Sequence, residues 1–293
     1  MARLQPALWL LGIYLLLMMA CARSAATPGE FAAPTPTRAL LSPQPTASPI
    51  PADRVDNTPT TVPDSGWREL RHGLDRRVIN VQRVDGSIRE TLYLLRIDPA
   101  HFRIDVAYRP GQPRSLQQWQ AETGALIVVN AGFFTVDYVA TGLIVAGGQA
   151  SGESYRDFGG MLAVNDQQVT LRWLPQQPYV ATESWTAAVQ AFPMLIRPAG
   201  LGSYTAEDGL VDRRTVVALD GDGRLLLILA TRGAFTLAEL SRFLQESDLQ
   251  LDSALNLDGG ASTGLLLAEP AEGVPAFSPL PAVITVHART IPE

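Results

Sequence analysis

Asp258 stands where an apolar run breaks, in the stretch "ALNLDGGASTGLLL" (residues 254–267). Gly259, Gly260, Ala261, Ser262, Thr263 and Gly264 follow it. Glycine lets a backbone approach a ligand with no Cβ in the way. Successive N–H groups in such a turn form an anion-binding concavity, and Ser262 and Thr263 add hydroxyl donors. The stretch is therefore a reasonable cradle for a phosphate or for the polar edge of a sugar, with a carboxylate at its mouth. Taken alone, the motif is explained more cheaply by a tight turn between strands, which Asp-Gly makes often.

Three other patterns invite chemical readings. "GASTG" matches the G-x-S-x-G nucleophile elbow, but that elbow needs a helix after the serine and an acid and then a histidine downstream. Here "LLLAEPAEG" follows, with a proline and a glycine where the helix should run, so the match is read as accidental. "DGDG" (residues 220–223) lacks the further acidic ligands of a calcium loop and reads as a hairpin turn between "TVVAL" and "LLLIL". Arg213 and Arg214 precede that first strand; a pair of arginines is either a solvated edge or a fork for phosphate oxygens.

These groups need elements to hold them. "RVINVQRVDG" and "SIRETLYLLRIDP" read as a hairpin turning at Asp85-Gly86, and "FRIDVAYRP" as a third strand. Residues 115–124 read as a short helix, with Ser115 and Gln118 at capping-box spacing and Gly124 as its stop. "ALIVVN", "GGMLAVN", "QVTLRWL", "AAVQAFPMLI", "RTVVALD" and "LLLILAT" read as further strands. Residues 236–248 form the strongest helix pattern: Thr236 and Glu239 make a capping box, and Leu237, Leu240, Phe243 and Leu244 share one face. The expected fold is α+β, a mixed, largely antiparallel sheet with a few flanking helices. Each helix leads into an apolar strand ending in a polar residue near glycine, "ALIVVNAGFF" and "ALNLDGGAST". Two such units lying side by side and parallel would bring Asn130 and Asp258 to one sheet edge, where ligand crevices form.

The bulk composition narrows the function classes. The 293 residues are 46% hydrophobic and 18% charged, with a net charge of -6, which argues against the basic stripe of a nucleic-acid binder. Cys21 is the single cysteine, so neither an intrachain disulfide nor a cysteine-rich metal site can form. His72, His101 and His287 are scattered and poor zinc-site material. No cofactor is expected, although a divalent ion stays open. Residues 1–21 read as an export signal: Arg3 is followed by an apolar stretch (residues 7–19) short for a membrane span, and "LLMMAC" resembles a lipobox ending at Cys21. The alternative is an ordinary secretory signal cleaved a few residues later. An acylated Cys21 would anchor the protein at a membrane surface without spanning it. Residues 22–65, rich in Pro, Thr and Ser and without hydrophobic period, read as a disordered spacer. Residues 66–293 remain as one domain, expected to be monomeric.

In order along that domain stand "VNAGFF", "TGLIVAGG", "FGGMLAV", "AVQAFPMLIR", "RRTVVALDGDGRLLLIL" and "LNLDGGAST". Together they resemble the phosphodiester glycosidase family over most of the domain. The chain departs from that family's pattern at Ala131 and Ala261, where glycine is usual, which predicts a narrower backbone approach and not a lost site. The resemblance implies an α+β catalytic domain that releases a sugar from a sugar-phosphate diester. The leaving phosphomonoester has a second pKa of about 6, so such a site depends less on a general acid than ordinary glycoside hydrolysis does. It needs a cation and N–H donors for the phosphate and one carboxylate facing the sugar carbon. Under that reading Asp258 is the carboxylate, as nucleophile or as base toward water, and Arg214 the phosphate clamp. Asn130 would bond a sugar hydroxyl, an acetamido group or a phosphate oxygen. Gly259, Gly260, Ser262 and Thr263 would form the cradle, with Gly132 and Gly142 admitting the ligand. The rival readings are a non-catalytic carbohydrate-binding or envelope-assembly protein on the same fold and a metal-dependent phosphodiesterase, for which histidine is scarce.

Overall fold

The computed structural model describes residues 64–289. The export signal, Cys21 and nearly all of the spacer lie outside the described residues. The fold already includes the last residues assigned to the spacer: Asp64 bridges to Ile79, and the Ser65 N–H donates to the Val78 carbonyl.

Strands form three sheets. The largest runs, neighbour to neighbour, Arg68–Arg71, Leu74–Gln82, Ile88–Ile97, Leu225–Phe235, Asp212–Asp220, Leu251–Asn256, Met194–Arg197, Leu201–Ser203. A second runs Gln149–Ser151, Ile144–Ala146, Ala187–Ala191, Gly160–Val164, Val169–Trp173. The third runs Glu272–Val274, Leu265–Leu267, Ile127–Asn130, Ala282–Ala288, Phe102–Tyr108. Every ladder among the described residues is antiparallel, so the sheet is not mixed as expected.

The core lies between the sheets. On Leu225–Phe235, Leu225, Leu227 and Leu229 join a central cluster with Leu162 and Val189 of the second sheet and Val129 and Ile284 of the third. Leu226, Ile228 and Ala230 point the other way and pack beneath Leu240 and Leu244 of the helix Leu237–Glu246. Side chains alternate across a strand, so a strand buried on both faces must be apolar at every position. That is why "LLLILA" shows no period. The helix Leu116–Thr123 covers the third sheet in the same manner, Leu116 and Trp119 packing with Val128 and Val283. Both helices carry the capping boxes read from their sequences, and Gly124 closes the first in the left-handed region.

Two sequence expectations fail here for physical reasons. "AAVQAFPMLI" is two strands, not one: Ala187–Ala191 belongs to the second sheet and Met194–Arg197 to the largest. Pro193 has no N–H to give a ladder, and the chain changes sheets at that point. Ile127–Asn130 and Leu251–Asn256 are not parallel neighbours either, because they lie in different sheets. Their C-terminal ends nevertheless converge, since both sheets close on the same core.

Candidate active site

The convergence is made by hydrogen bonds and not by a shared ladder. The Asp258 N–H donates to the Ala131 carbonyl (3.1 Å), and the Asn130 side-chain amide donates to the Asp258 carbonyl (2.7 Å). Asn130 is wholly buried. Its Oδ1 accepts from the Thr215 hydroxyl (2.8 Å) and from the Gly264 N–H (3.1 Å), and Thr263 Oγ1 lies within hydrogen-bond distance of Thr215 Oγ1 (3.2 Å). Asn130 thus ties together the ends of three strands. Its side chain, expected to touch substrate, is closed to solvent, with Oδ1 accepting two bonds and Nδ2 giving one inside the protein, an arrangement that positions the Asp258 backbone. Thr263, fully buried, belongs to the same knot.

Asp258 itself is partly buried and forms no ion pair among the described residues. Burial pushes its carboxyl above the usual carboxylate range. Hydrogen bonds from the Ser262 hydroxyl and the Gly259 N–H oppose that rise, and the nearby Asp212 charge reinforces it. A partly desolvated carboxylate with no cation to neutralise it is costly to maintain for packing alone, and is the state expected of an acid, base or nucleophile.

The glycines answer to more than one demand. Gly260 lies at φ 59°, where a side chain is strained, and a Cβ there would also meet the Asp212 carboxylate at 2.9 Å. A Cβ at Gly259 would stand 2.8 Å from the Arg213 carbonyl and 3.9 Å from the Arg214 Cδ, so the loop lies directly on the arginine strand. Gly132 and Gly142, expected to admit the ligand, are required by packing. A Cβ on Gly132 would lie 2.6 Å from the Gln190 carbonyl, and one on Gly142 would lie 2.9 Å from the Tyr155 ring. Ala131 is buried in the central core, so its methyl does not narrow the approach as expected. Ala261 is exposed, and its carbonyl accepts from the Phe277 and Ser278 N–H groups.

Arg213 and Arg214 are both partly buried and neither pairs with a carboxylate. Arg214 donates from Nη2 to the Leu210 carbonyl (2.6 Å), and its buried Nε has no partner. Arg213 donates from Nη2 to the Pro275 carbonyl (2.9 Å), lies over the Phe277 ring at 4.5 Å, and leaves its buried Nη1 without a partner. Burial lowers both from the ordinary arginine value, with Asp212 opposing; arginine nonetheless stays charged. Two cations with unsatisfied N–H groups therefore flank the glycine turn. From sequence Arg213 was noted only as Arg214's neighbour in the pair, and Asp212 and Asn256 were not singled out. Asp212 stands immediately before the arginine pair, which was the available signal. Asn256, 3% exposed, donates to the Phe192 carbonyl (2.9 Å) and leaves its Oδ1 without a partner.

Among the described residues no group of three or more His, Cys, Asp or Glu side chains is spaced to hold a metal ion, and no helix is long and apolar enough to cross a membrane. A surface cavity lined by Pro99, Asn165, Asp166 and Arg289 shares no residue with the loop. A second cleft, lined by Ser115, Gln118, Pro275, Phe277 and Ser278, adjoins it on the Arg213 side.

A model of the phosphodiester glycosidase family matches residues 123–287, a span that contains every candidate site residue of the folded domain. No curated protein gives a significant match. Among solved structures, the chain resembles the zebrafish N-acetylglucosamine-1-phosphodiester alpha-N-acetylglucosaminidase catalytic domain, auto-inhibited by its pro-peptide. The two share 16% identity, 78% of this chain and 89% of that one are covered, and the TM-score is 0.61. A protein from Synechocystis is similar at 15% identity, over 78% of this chain and 64% of its own, with a TM-score of 0.56. A protein from Burkholderia pseudomallei is similar at 14% identity, over 68% and 74%, with a TM-score of 0.51. Identities this low speak for a common fold.

Proposed function

The chain belongs to the phosphodiester glycosidase family, and from that premise we propose that it hydrolyses the bond between the anomeric carbon and the phosphate oxygen of a sugar-1-phosphodiester in the cell envelope. The observation that carries this reading is the meeting of opposite charges at one loop. An unpaired carboxylate, Asp258, leads into a two-glycine turn whose first glycine, Gly259, lies on the Arg213–Arg214 strand, and both arginines keep a buried N–H group unsatisfied. A carboxylate beside a bound phosphate would repel it. It is useful only if it faces the other end of the scissile bond, where the sugar carbon gains positive charge in the transition state.

In this reading Arg214 and Arg213 receive the phosphate oxygens, and the N–H groups of Gly260 and Ala261 are the donors the turn adds, those of Gly259 and Ser262 being bonded to Asp258 and Gly259. The phosphate's second ester group extends toward the cleft between the first helix and residues 275–279. Asp258 acts at the anomeric carbon, as nucleophile or as base toward water. The C1–O bond breaks, the phosphomonoester departs with its electron pair, and a water oxygen ends on the sugar. The similarity to the zebrafish enzyme agrees with a sugar 1-phosphodiester as the substrate class.

Hydrolysis of an aryl sugar-1-phosphodiester in oxygen-18 water tests the reading. Label is expected in the sugar. Label in the phosphate would mean P–O cleavage and a phosphodiesterase. Failure to turn over any such diester while still binding glycans would leave a carbohydrate-binding protein.

For the setting, the apolar segment ending at Cys21 supports a lipoprotein anchored at the membrane surface, with residues 22–65 as a spacer. Cys21→Ser is expected to move the protein from the membrane pellet to the soluble fraction. If the variant pellets as the parent does, the anchor is wrong.

A further inference from the structure

Four aromatic rings from three separate connections meet beside the site. Phe192, between the strands Ala187–Ala191 and Met194–Arg197, is central. It lies 4.6 Å from Phe133, 5.9 Å from Tyr155 and 5.5 Å from Phe158, measured between ring centroids. Tyr155 and Phe158 stack at 4.6 Å. The arrangement is bolted in place. The Tyr155 hydroxyl is bonded to Thr141 Oγ1 (2.7 Å), and its N–H donates to the buried Gln190 Oε1 (2.7 Å). Gly142 leaves the space that the Tyr155 ring occupies, and Gly159 that beside Phe192 and Tyr155. Despite this fixing, Phe158 is 50% exposed and Phe192 38%. Rigid aromatic faces held open to solvent leave apolar area uncovered, which the fold has no need to do.

The position of the cluster relative to the charges says what it is for. Along residues 256–260 the chain walks from the rings to the arginines. Asn256 holds the Phe192 carbonyl, Asp258 holds the Ala131 carbonyl two residues before Phe133, and Gly259 lies on Arg213 and Arg214. The order is therefore aromatic faces, then carboxylate, then cations. A sugar-1-phosphate has the same order: a ring with an apolar C–H face, an electrophilic carbon, an anion.

We propose that Phe158 and Phe192 form the subsite for the pyranose ring of the substrate, on which the sugar stacks by its C–H face while its anomeric carbon is presented to Asp258. This rests on the glycosidase reading above and fixes the direction in which the substrate lies. Phe158 and Phe192 then contribute to binding the sugar in ground and transition states alike, and so act on KM more than on kcat. The cluster is small and rigid, which suits one saccharide ring and not a protein partner, whose interface would bury far more surface.

Two readouts on the full-length protein test this. Phe158 is half exposed and its ring contacts are with Tyr155 and Phe192, so Phe158→Ala is expected to fold. It should raise KM for an aryl sugar-1-phosphodiester roughly three- to tenfold, the scale of a lost aromatic stack, with kcat little changed. Phe158→Tyr, which keeps the face, should restore the parental KM. Arg214→Lys, at the other end, should lower kcat as well, because a point charge replaces a fork. In saturation-transfer NMR, a panel of gluco-, galacto- and manno-configured methyl pyranosides should show transfer from the parent for at least one member. That transfer should be lost in Phe158→Ala and weakened in Phe192→Ala. An unchanged KM in both alanine variants, or a KM that Phe158→Tyr does not restore, overturns the subsite. If the parent turns over no diester, the glycosidase reading fails, and the NMR arm then decides the subsite alone: transfer that Phe158→Ala abolishes upholds sugar stacking, and no transfer from the parent overturns it.

Discussion

Replacing Asp258 by Asn is expected to lower kcat on a sugar-1-phosphodiester about a thousandfold, the scale on which a lost transition-state electrostatic contact is felt, with KM little changed. The reasoning is differential binding. A fixed negative charge at the anomeric carbon interacts weakly with the neutral ground state and strongly with an oxocarbenium-like transition state, so its loss falls on the rate. Asn also makes the Asp-Gly type of turn, so a merely structural Asp258 would lose little. The direction of its titration gives a control that separates the two roles. Its folded pKa lies above the ordinary value of 3.8 through burial. Between those two values the folded protein holds the proton more tightly than the unfolded chain, so stability falls as pH rises through that window. The Asn variant has no such slope, and at neutral pH it should be at least as stable as the parent. For an Asp258 that must be ionised to act, the acid limb of the parent's pH–rate profile should lie above that of an ordinary carboxylate. Steady-state kinetics and urea denaturation check both statements. Near-parental turnover in a stable Asp258→Asn protein would reduce the motif to a turn.

Asn130→Ala should act in the opposite way, on the fold first. Its amide satisfies the Asp258 carbonyl, the Thr215 hydroxyl and the Gly264 N–H in a site closed to solvent. A buried polar group left without a partner costs roughly 1–3 kcal/mol. With three such groups affected and partial relaxation, a loss of about 3 kcal/mol is expected, lowering the urea midpoint at unchanged m-value. Turnover should fall too, because the same bonds hold the Asp258 backbone in place. An unchanged urea midpoint would show that the knot is not structural.

Much of the local structure was legible from short sequence signals. Both helices were visible because a capping box is a local device: Ser115 with Gln118, and Thr236 with Glu239, satisfy each other within three residues. The hairpins at Asp85-Gly86 and at "DGDG" were visible for the same reason, since a tight turn selects its own residues. The all-apolar run "LLLILA" announced a strand without saying what covers its two faces. The split of "AAVQAFPMLI" was signalled by Pro193, but which sheet each half joins depends on partners far away in sequence.

The site divides along the same line. By itself the sequence determined that an acid, a glycine turn and an arginine pair occur in one chain, and its motif order showed the family to which such a set belongs. Only the tertiary structure decided which of these groups meet and which of their atoms remain free. Asn130 looked available and is spent on three buried bonds, while Gly132 and Gly142 looked like ligand-admitting positions and are required by Gln190 and Tyr155. Arg213 and Arg214, read from sequence as either a solvated edge or a phosphate fork, prove partly buried with N–H groups unmet. The aromatic cluster, drawn from residues 133, 155, 158 and 192, has no local spacing at all. The physical reason is common to all of these. Caps and turns are satisfied within a few residues, whereas burial and hydrogen-bond occupancy belong to contacts between segments far apart in the chain, such as Asn130 and Asp258, 128 residues apart, and such contacts exist only once three sheets have closed on one core.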